Sequence, residues 1–433
     1  MRNHAVALAL GALFAAPAAL AADPATIDWS AVPARKVTLF YPGQASYEWL
    51  QSAEHKKGDR AIAQGRSCTT CHQDDEADLG NRLAKGTSNE ATPIAGKKGT
   101  LDLNVQAAHD DKFLYLRFQW ATQNKAPGDA YPQLRFDGKE WKRYGGPRLD
   151  KDVREGKMQA VYEDRLSVMV DDGKVANFAR HGCWVSCHDG MRNMRNEATK
   201  DQLAANALFK NRSDVRKYLP ATREPNGAWD KTRPVEEIAK LKASGEFVDL
   251  WQWRAHRSNA AGMADDGYVL EYRLFDAGKN MFLSNEDTAA RQPRMMFDAA
   301  KTGQKSLTAA DLQKPGKAQV LVPGQTAVPF DPNAGWKEGD MLPQYYVQRE
   351  AASGSAADNA YARGVWKDGT WTLVMARPLG LANPDDKTLK VGDVISVGFA
   401  VHDDNVTTRG HHVSFPLRVG IGAKADITAT TLK

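Results

Sequence analysis

The sequence predicts a mainly β protein: an antiparallel β-sandwich with one helical insertion, preceded by a small module of short helices and loops. Three observations carry this. From residue 100 onward, apolar residues alternate in one short run after another, the period of a strand with one face packed. Turn sequences such as "HDDK" (109–112), "VDDGK" (170–174) and "WKDGT" (366–370) separate or flank these runs. Before residue 96 the chain is polar and poor in strand patterns.

In order, the N-terminus "MRNHAVALALGALFAAPAALAADPA" has a basic Arg2, an apolar run from Ala5 to Leu20, and small residues around Ala21. It reads as a secretory signal peptide over residues 1–22, too short to span a bilayer. No later stretch is apolar enough to span one, so export to a bacterial periplasm is expected. Residues 23–95 form the small module. There "YEWLQSAEHKKGDRAIAQGRSCTTCH" (47–72) predicts short helices and "GTSNEATPIAGKKG" (86–99) a linker. So small a segment needs help from a bound group to make a core.

Residues 96–433 form the sandwich. Its expected strands are "LDLNVQA" (101–107), "KFLYLRFQW" (112–120), "RLSVMV" (165–170), "VDLWQWRA" (248–255) and "YVLEYRLF" (268–275). "TWTLVMARPL" (370–379), "VISVGFAVH" (394–402) and "HHVSFPLRVGIG" (411–422) complete the series. Residues 198–247 interrupt it with helical and loop character, an insertion expected to cover a second site. No fixed-period repeat is evident. Net charge is +5, from 58 basic and 53 acidic residues interspersed along the chain, which argues against a nucleic-acid partner.

The four cysteines fall into two pairs, Cys68/Cys71 and Cys183/Cys187, and each pair is followed at once by a histidine, His72 and His188. "CTTCH" is the attachment pattern of a c-type haem. Two thiols add across two vinyl groups of the porphyrin, and the next histidine binds iron beneath it. Disulfides would close short loops of little entropy, and a shared zinc site would join distant pairs; neither explains the histidines. A thioredoxin-like motif needs a βαβ setting that is absent around "GRSCTTCHQDDEADLG". "CWVSCH" has one residue more between its thiols, but keeps Cys187 and His188 adjacent, so it is taken as a second covalent haem.

With these motifs placed, the chain resembles dihaem c-type cytochromes related to the γ-subunit of ethylbenzene dehydrogenase, whose sandwich also resembles the haem domain of cellobiose dehydrogenase. The likeness runs from about residue 96 to the C-terminus, carried by "AAHDDKFLYLRFQW", "VDLWQWRA", "ARPL" and "VGFAVHDDN…RGHHVSFPLRVGIG". The resemblance implies a haem held between a methionine segment, corresponding here to the region of Cys183–His188, and a lysine near "RGHH". This chain departs at both places, with cysteines and histidines instead.

Low-spin haem needs a second axial ligand. The first site has no methionine nearby once Met1 is processed away, leaving His55, His109 and, if the sites are close, His181. His55, thirteen residues before Cys68, is preferred. For the second site, period-2 alternation puts His411 with Val413, Phe415, Leu417, Val419 and Ile421 toward the core, and His412 toward solvent. His411 is therefore the expected ligand, with Met169, Met191 and Met194 as fallbacks and Arg409 as a partner for a haem propionate.

The expected function is a periplasmic carrier of single electrons with two haem c groups, its potentials lowered by bis-histidine ligation. Expected partners are redox proteins, including a molybdenum enzyme or a membrane quinol-oxidising cytochrome. The competing expectations are a haem enzyme with an open sixth iron position, acting on a small substrate, and an electron-transfer subunit of a molybdenum oxidoreductase. No nucleophile–base constellation supports a hydrolase.

Overall fold

The structure is a computed structural model that describes residues 24–86, 89–124, 126–225, 227–314 and 319–432; the signal peptide expected over 1–22 lies outside the described residues. Thirteen strands make one sheet that folds over onto itself. In chain order they are β1 (Ala34–Phe40), β2 (Thr100–His109), β3 (Phe113–Ala121), β4 (Arg165–Asp171), β5 (Val248–Arg254), β6 (Gly267–Val269) and β7 (Arg273–Phe275). They continue as β8 (Tyr361–Lys367), β9 (Thr370–Pro378), β10 (Val394–His402), β11 (His412–Val413), β12 (Leu417–Ile421) and β13 (Ile427–Thr431). The sheet order is β8-β9-β3-β2-β1-β11-β10-β4-β5-β6-β7, with β13 and β12 bridging from β2 to β10.

The two halves enclose a core of Val37, Leu39, Leu103, Phe118, Val168, Phe399 and the tryptophans 120, 253 and 371. Those rings pack edge-on or tilted, with centroids 4.9–6.3 Å apart, the geometry favoured by aromatic quadrupoles. In β4, Leu166, Val168 and Val170 face this core, as Ile395, Val397, Phe399 and Val401 do from β10. Every residue of β4 and β5 is buried nonetheless. Their other face is covered too, and that covered outer face holds one of the two cavities described below.

All eight expected strand segments contain strand, but two are divided. "YVLEYRLF" becomes the hairpin pair β6 and β7. "HHVSFPLRVGIG" breaks between β11 and β12, around Pro416, where the Ser414 hydroxyl donates nothing to a ladder and instead accepts from the Phe399 amide. A proline cannot donate to a ladder, so the break follows from its chemistry. The continuous alternation read for 411–421 is therefore corrected. Val413 and Phe415 join one cluster and Val419 and Ile421 another.

Strand β1 was not legible, and it lies inside 23–95, the segment read as helices and loops. It pairs β2 along its whole length and β11 at Phe40, so that segment contributes one interior strand before its helices begin. These are α1 (Tyr47–Leu50), α2 (Gly58–Ala63), α3 (Thr69–His72) and α4 (Glu76–Ala84). The Ser46 hydroxyl caps α1 by accepting from the Trp49 amide at 3.1 Å. The 198–247 insertion carries helices at Lys200–Ala205 and Val235–Ser244. No described helix is long and apolar enough to cross a membrane.

Candidate functional site

The two cysteine motifs meet. The Cys68 amide donates to the Arg180 carbonyl at 3.2 Å, the Ser67 hydroxyl to the same oxygen at 3.3 Å, and the Tyr47 amide to the Cys187 carbonyl at 2.7 Å. His181 is buried in this seam, its Nε2 3.1 Å from the Arg66 carbonyl and its Nδ1 3.4 Å from the Tyr47 hydroxyl. It is a hydrogen-bonding brace between the motifs. His109 is also buried, with Nδ1 3.0 Å from the Asp110 carbonyl and Nε2 3.0 Å from the Thr431 hydroxyl, so both its nitrogens are engaged at the far end of β2.

Two cavities of about 380 Å³ each flank the seam, a size suited to a small organic cofactor or ligand. The first is lined by Cys68, Cys71, His72 and His55, with Phe40, Trp184 and Phe415 among the apolar residues of its wall. Trp184 lies 5.6 Å from Phe40 and 5.9 Å from Phe415, centroid to centroid. The His55 and His72 rings are 6.0 Å apart and nearly parallel, at 14°. Two imidazoles on one metal, each nitrogen about 2 Å from it, put their centroids roughly 6 Å apart. His55 Nδ1 lies 3.0 Å from the Leu50 carbonyl and His72 Nδ1 3.4 Å from Asp75, which leaves Nε2 as the metal-facing nitrogen of each. Gly58 makes the room: a Cβ there would sit 2.2 Å from the His55 ring.

The second cavity lies on the outer face of β10, β4 and β5, and strand register grades its polarity. Gly398, Met169 and Leu250 form an apolar row, then Ala400, Ser167 and Gln252, then His402, Arg165 and Arg254. Cys183 sits over the Gly398 end, where a Cβ on residue 398 would lie only 3.7–3.8 Å from Cys183. At the other end, buried Arg165 has no hydrogen-bond partner on Nε or Nη2, although Nε is 3.6 Å from Glu163. An apolar floor ending in under-satisfied guanidinium suits a flat macrocycle with carboxylate tails.

Cys187, His411, Met169, Met191, Met194 and Arg409 line this cavity as well, with Arg216 and Lys217 of the insertion closing it. The His411 Nδ1 has no partner. Burial, then Lys217, pushes His411 down to about 3, so the ring is neutral with a lone pair to offer. Met191 is less available, because its sulfur already accepts from the His188 amide at 3.1 Å. Arg409 binds Glu90 and Tyr41 on its inner side.

Two sequence expectations change here. His412 does not face solvent: it is 1% exposed, with Nε2 2.9 Å from the Lys98 carbonyl, because β11 is an interior strand covered on both faces. His411 does not enter the sandwich core; it precedes the strand and turns to the outer cavity. Sequence reasoning also missed His402, which stacks on His411 at 5.0 Å with Nδ1 unpartnered. Its signal was the alternation of β10, which puts it in line with Gly398 and Ala400.

His188 does not line the second cavity. Its ring stacks on Tyr218 at 3.9 Å, with Nδ1 2.6 Å from Glu48 and Nε2 3.1 and 3.0 Å from the Val185 and Tyr218 carbonyls. A ring whose Nδ1–H is committed to a carboxylate presents a bare Nε2 to those oxygens, a poor match without a proton or a cation there. A carboxylate on one histidine nitrogen is the usual companion of a metal on the other.

All four thiols are free. Burial raises Cys68 to about 12 and Cys187 to about 11, and raises Cys183 as well. They stay protonated near neutrality, and conversion to thioethers would strand no charge.

A mainly β, sandwich-based chain with two cysteine–histidine motifs is the class that fold and sequence define. Residues 26–414 match the family described as ethylbenzene dehydrogenase, and the chain belongs to it. It is 29% identical over 435 aligned positions to cytochrome c-552 of Stutzerimonas stutzeri, covering 99% of both chains. It is also 29% identical over 168 positions to cytochrome c-551 of Rhodocyclus tenuis, covering 39% of this chain and 57% of that one.

Proposed function

We propose that the protein is a periplasmic dihaem c-type cytochrome that passes single electrons between redox partners. In this reading residues 23–95 carry the first centre, and 96–433, with its insertion at about 198–247, the second. Cys68 and Cys71 would hold the first haem, with His72 and His55 as its protein ligands. Cys183 and Cys187 would hold the other, with His188 and His411. Bound haem supplies a one-electron iron couple; the chain sets its ligands, burial and neighbours. Glu48 holds His188 Nδ1 and would raise its basicity, so that Nε2 would be the nitrogen to meet iron in place of the Val185 and Tyr218 carbonyls. Arg165 and Arg254 would meet carboxylate tails at the polar end of the second cavity.

One observation carries the reading. Consecutive residues face the two cavities: Cys183 the second and Trp184 the first. Two redox groups in cavities that share the Cys183–Trp184 segment would be close enough to exchange electrons with each other, which a protein with one centre or two remote ones does not need. The relatives' names, both cytochromes c, support the haem assignment. The family supports redox proteins, molybdenum enzymes among them, as partners.

Denaturing mass spectrometry of the exported protein should show two covalent haems, and Cys183→Ser with Cys187→Ser should show one. A single haem in the unaltered protein defeats the reading of the second motif. His55→Ala should turn the first centre high-spin; an unchanged spectrum removes His55 from the ligand set.

A further inference from the structure

Away from both cavities, aspartates crowd one edge of the sandwich. Asp249, Asp266, Asp276, Asp385 and Asp386 are each no more than 5% exposed, and Asp358 adjoins them. The cation among them is Arg377, itself 2% exposed, which pairs with Asp249, Asp266 and Asp386. Lys387, the residue after Asp386, sends its ammonium away to Asp171, Asp172 and the Gly245 carbonyl. Arg377 thus accounts for one subset of the carboxylates, with Asn383 bonded to Asp358 and Asp386.

Asp276 has no such account. Neither of its oxygens has a hydrogen-bond partner, although the residue is 4% exposed. Asp385 has one oxygen on the Ala277 amide at 2.8 Å and the other unpartnered. One oxygen from each of Asp276, Asp385 and Asp386 lies within 4.8 Å of the others. Ca²⁺ holds oxygens at about 2.3–2.6 Å, so two of them on one ion are separated by at most roughly 5 Å. The donors are all oxygen, and carboxylates keep spare lone pairs even when one hydrogen bond is made. That set selects a hard cation, and the capacity for bidentate binding favours Ca²⁺ over Mg²⁺.

We propose that Asp276, Asp385 and Asp386 form a structural Ca²⁺ site, independent of the haem sites. The alternative to a cation is protons: burial, with Asp266, Asp249, Asp386 and Asp385 nearby, pushes the Asp276 carboxyl up to about 11. The ion would tie the loop carrying Asp385 and Asp386 to the end of β7. Arg273 and Phe275 of that strand line the second cavity, so the site would stiffen one of its walls from outside.

The test uses the full-length holoprotein after EGTA treatment. Calorimetric titration with Ca²⁺ should show one site per chain, and Tm should rise by about 3 °C at a hundredfold excess over Kd. Asp276→Asn should abolish both effects while both haem spectra persist. No Ca²⁺ binding by the unaltered, EGTA-treated protein would overturn the proposal, and that result stands even if the variant fails to fold. Binding retained in Asp276→Asn would also overturn it, by placing the ion elsewhere. So would stability that ignores Ca²⁺ but rises steadily as pH is lowered, which is the signature of a shared proton.

Discussion

The two cavities are equal in volume and built in opposite ways. The first is local: His55, Cys68, Cys71 and His72 lie within eighteen residues of chain, on α3 and the turn between α1 and α2, at a partly exposed surface with Cys71 exposed outright. The second draws on β10, β4, β5, β7, the 182–194 loop and the 198–247 insertion, and its floor on β4, β5 and β10 is mostly buried. Its charges follow the same contrast. Around the first cavity they are solvated. Beside the second, Glu163 is fully buried against Arg165, Arg254 and Arg257. A cofactor can thus be held by a short peptide that it helps to order, or by a sheet face that exists before it. The first arrangement tolerates local change, whereas the second transmits it.

The sharpest way to break this contrast is Glu163→Gln. Removing one member of a buried ion cluster leaves the arginines uncompensated and should cost about 3–5 kcal/mol in urea unfolding. The second centre should lose its low-spin spectrum well before the first. Equal loss at both would show that the cavities are not separable. The pH dependence has a definite sign. Burial opposes the Glu163 charge, but Arg257, Arg165 and Arg254 outweigh it and hold the carboxyl at about 2. A lowered carboxyl stabilises fully above its unfolded value of 4.5 and loses that contribution as pH falls through about 2. Between those limits about 3 kcal/mol should disappear, and Glu163→Gln should flatten that part of the acid denaturation curve.

His411→Ala tests the ligand delivered by the sheet. It should open the sixth position of the second haem, so that the reduced protein binds carbon monoxide there. His412→Ala should leave the spectrum unchanged, since that ring is bonded to the Lys98 carbonyl. Carbon monoxide binding in His402→Ala but not in His411→Ala would transfer the role to the residue that sequence reasoning overlooked.

A smaller, local effect is expected at the first site. Gly58→Ala places a methyl against the His55 ring, an overpacking of about 1–3 kcal/mol that should weaken or displace that ligand. The second centre's spectrum should not change; if it does, the seam couples the sites more tightly than their separate construction implies. Smallest of all, Glu48→Gln keeps a hydrogen-bonding group at His188 but removes its charge. The potential of the second haem should rise, with little change in Tm, because a neutral partner supports ferric iron less well. An unmoved potential would take His188 off that iron.

The local site was legible because its chemistry is contiguous: "CTTCH" names its own thiols and histidine, and His55 was the nearest histidine on the same segment. The strands were legible because β-packing imprints period two, and "RLSVMV" shows both faces at once, Leu166, Val168 and Val170 inward and Arg165, Ser167 and Met169 outward. "HHVSFPLRVGIG" misled because its alternation continues through a proline that ends the ladder. Whether His412 met solvent depended on β1, a strand with no clear pattern in a segment read as helices and loops.

What the sequence determined by itself is therefore the fold class and the two cysteine–histidine pairs, since each is written in neighbouring residues or in a short period. Only the tertiary structure decided that the motifs abut across Arg66–Cys68 and Arg180–His181, that Cys183 and Trp184 face different cavities, and that His402 joins His411. Those facts depend on which strands lie side by side and which face is covered twice. Such arrangements are set by the packing of whole segments, some as far apart in the chain as Ser67 and Arg180, 113 residues, and no local pattern encodes them.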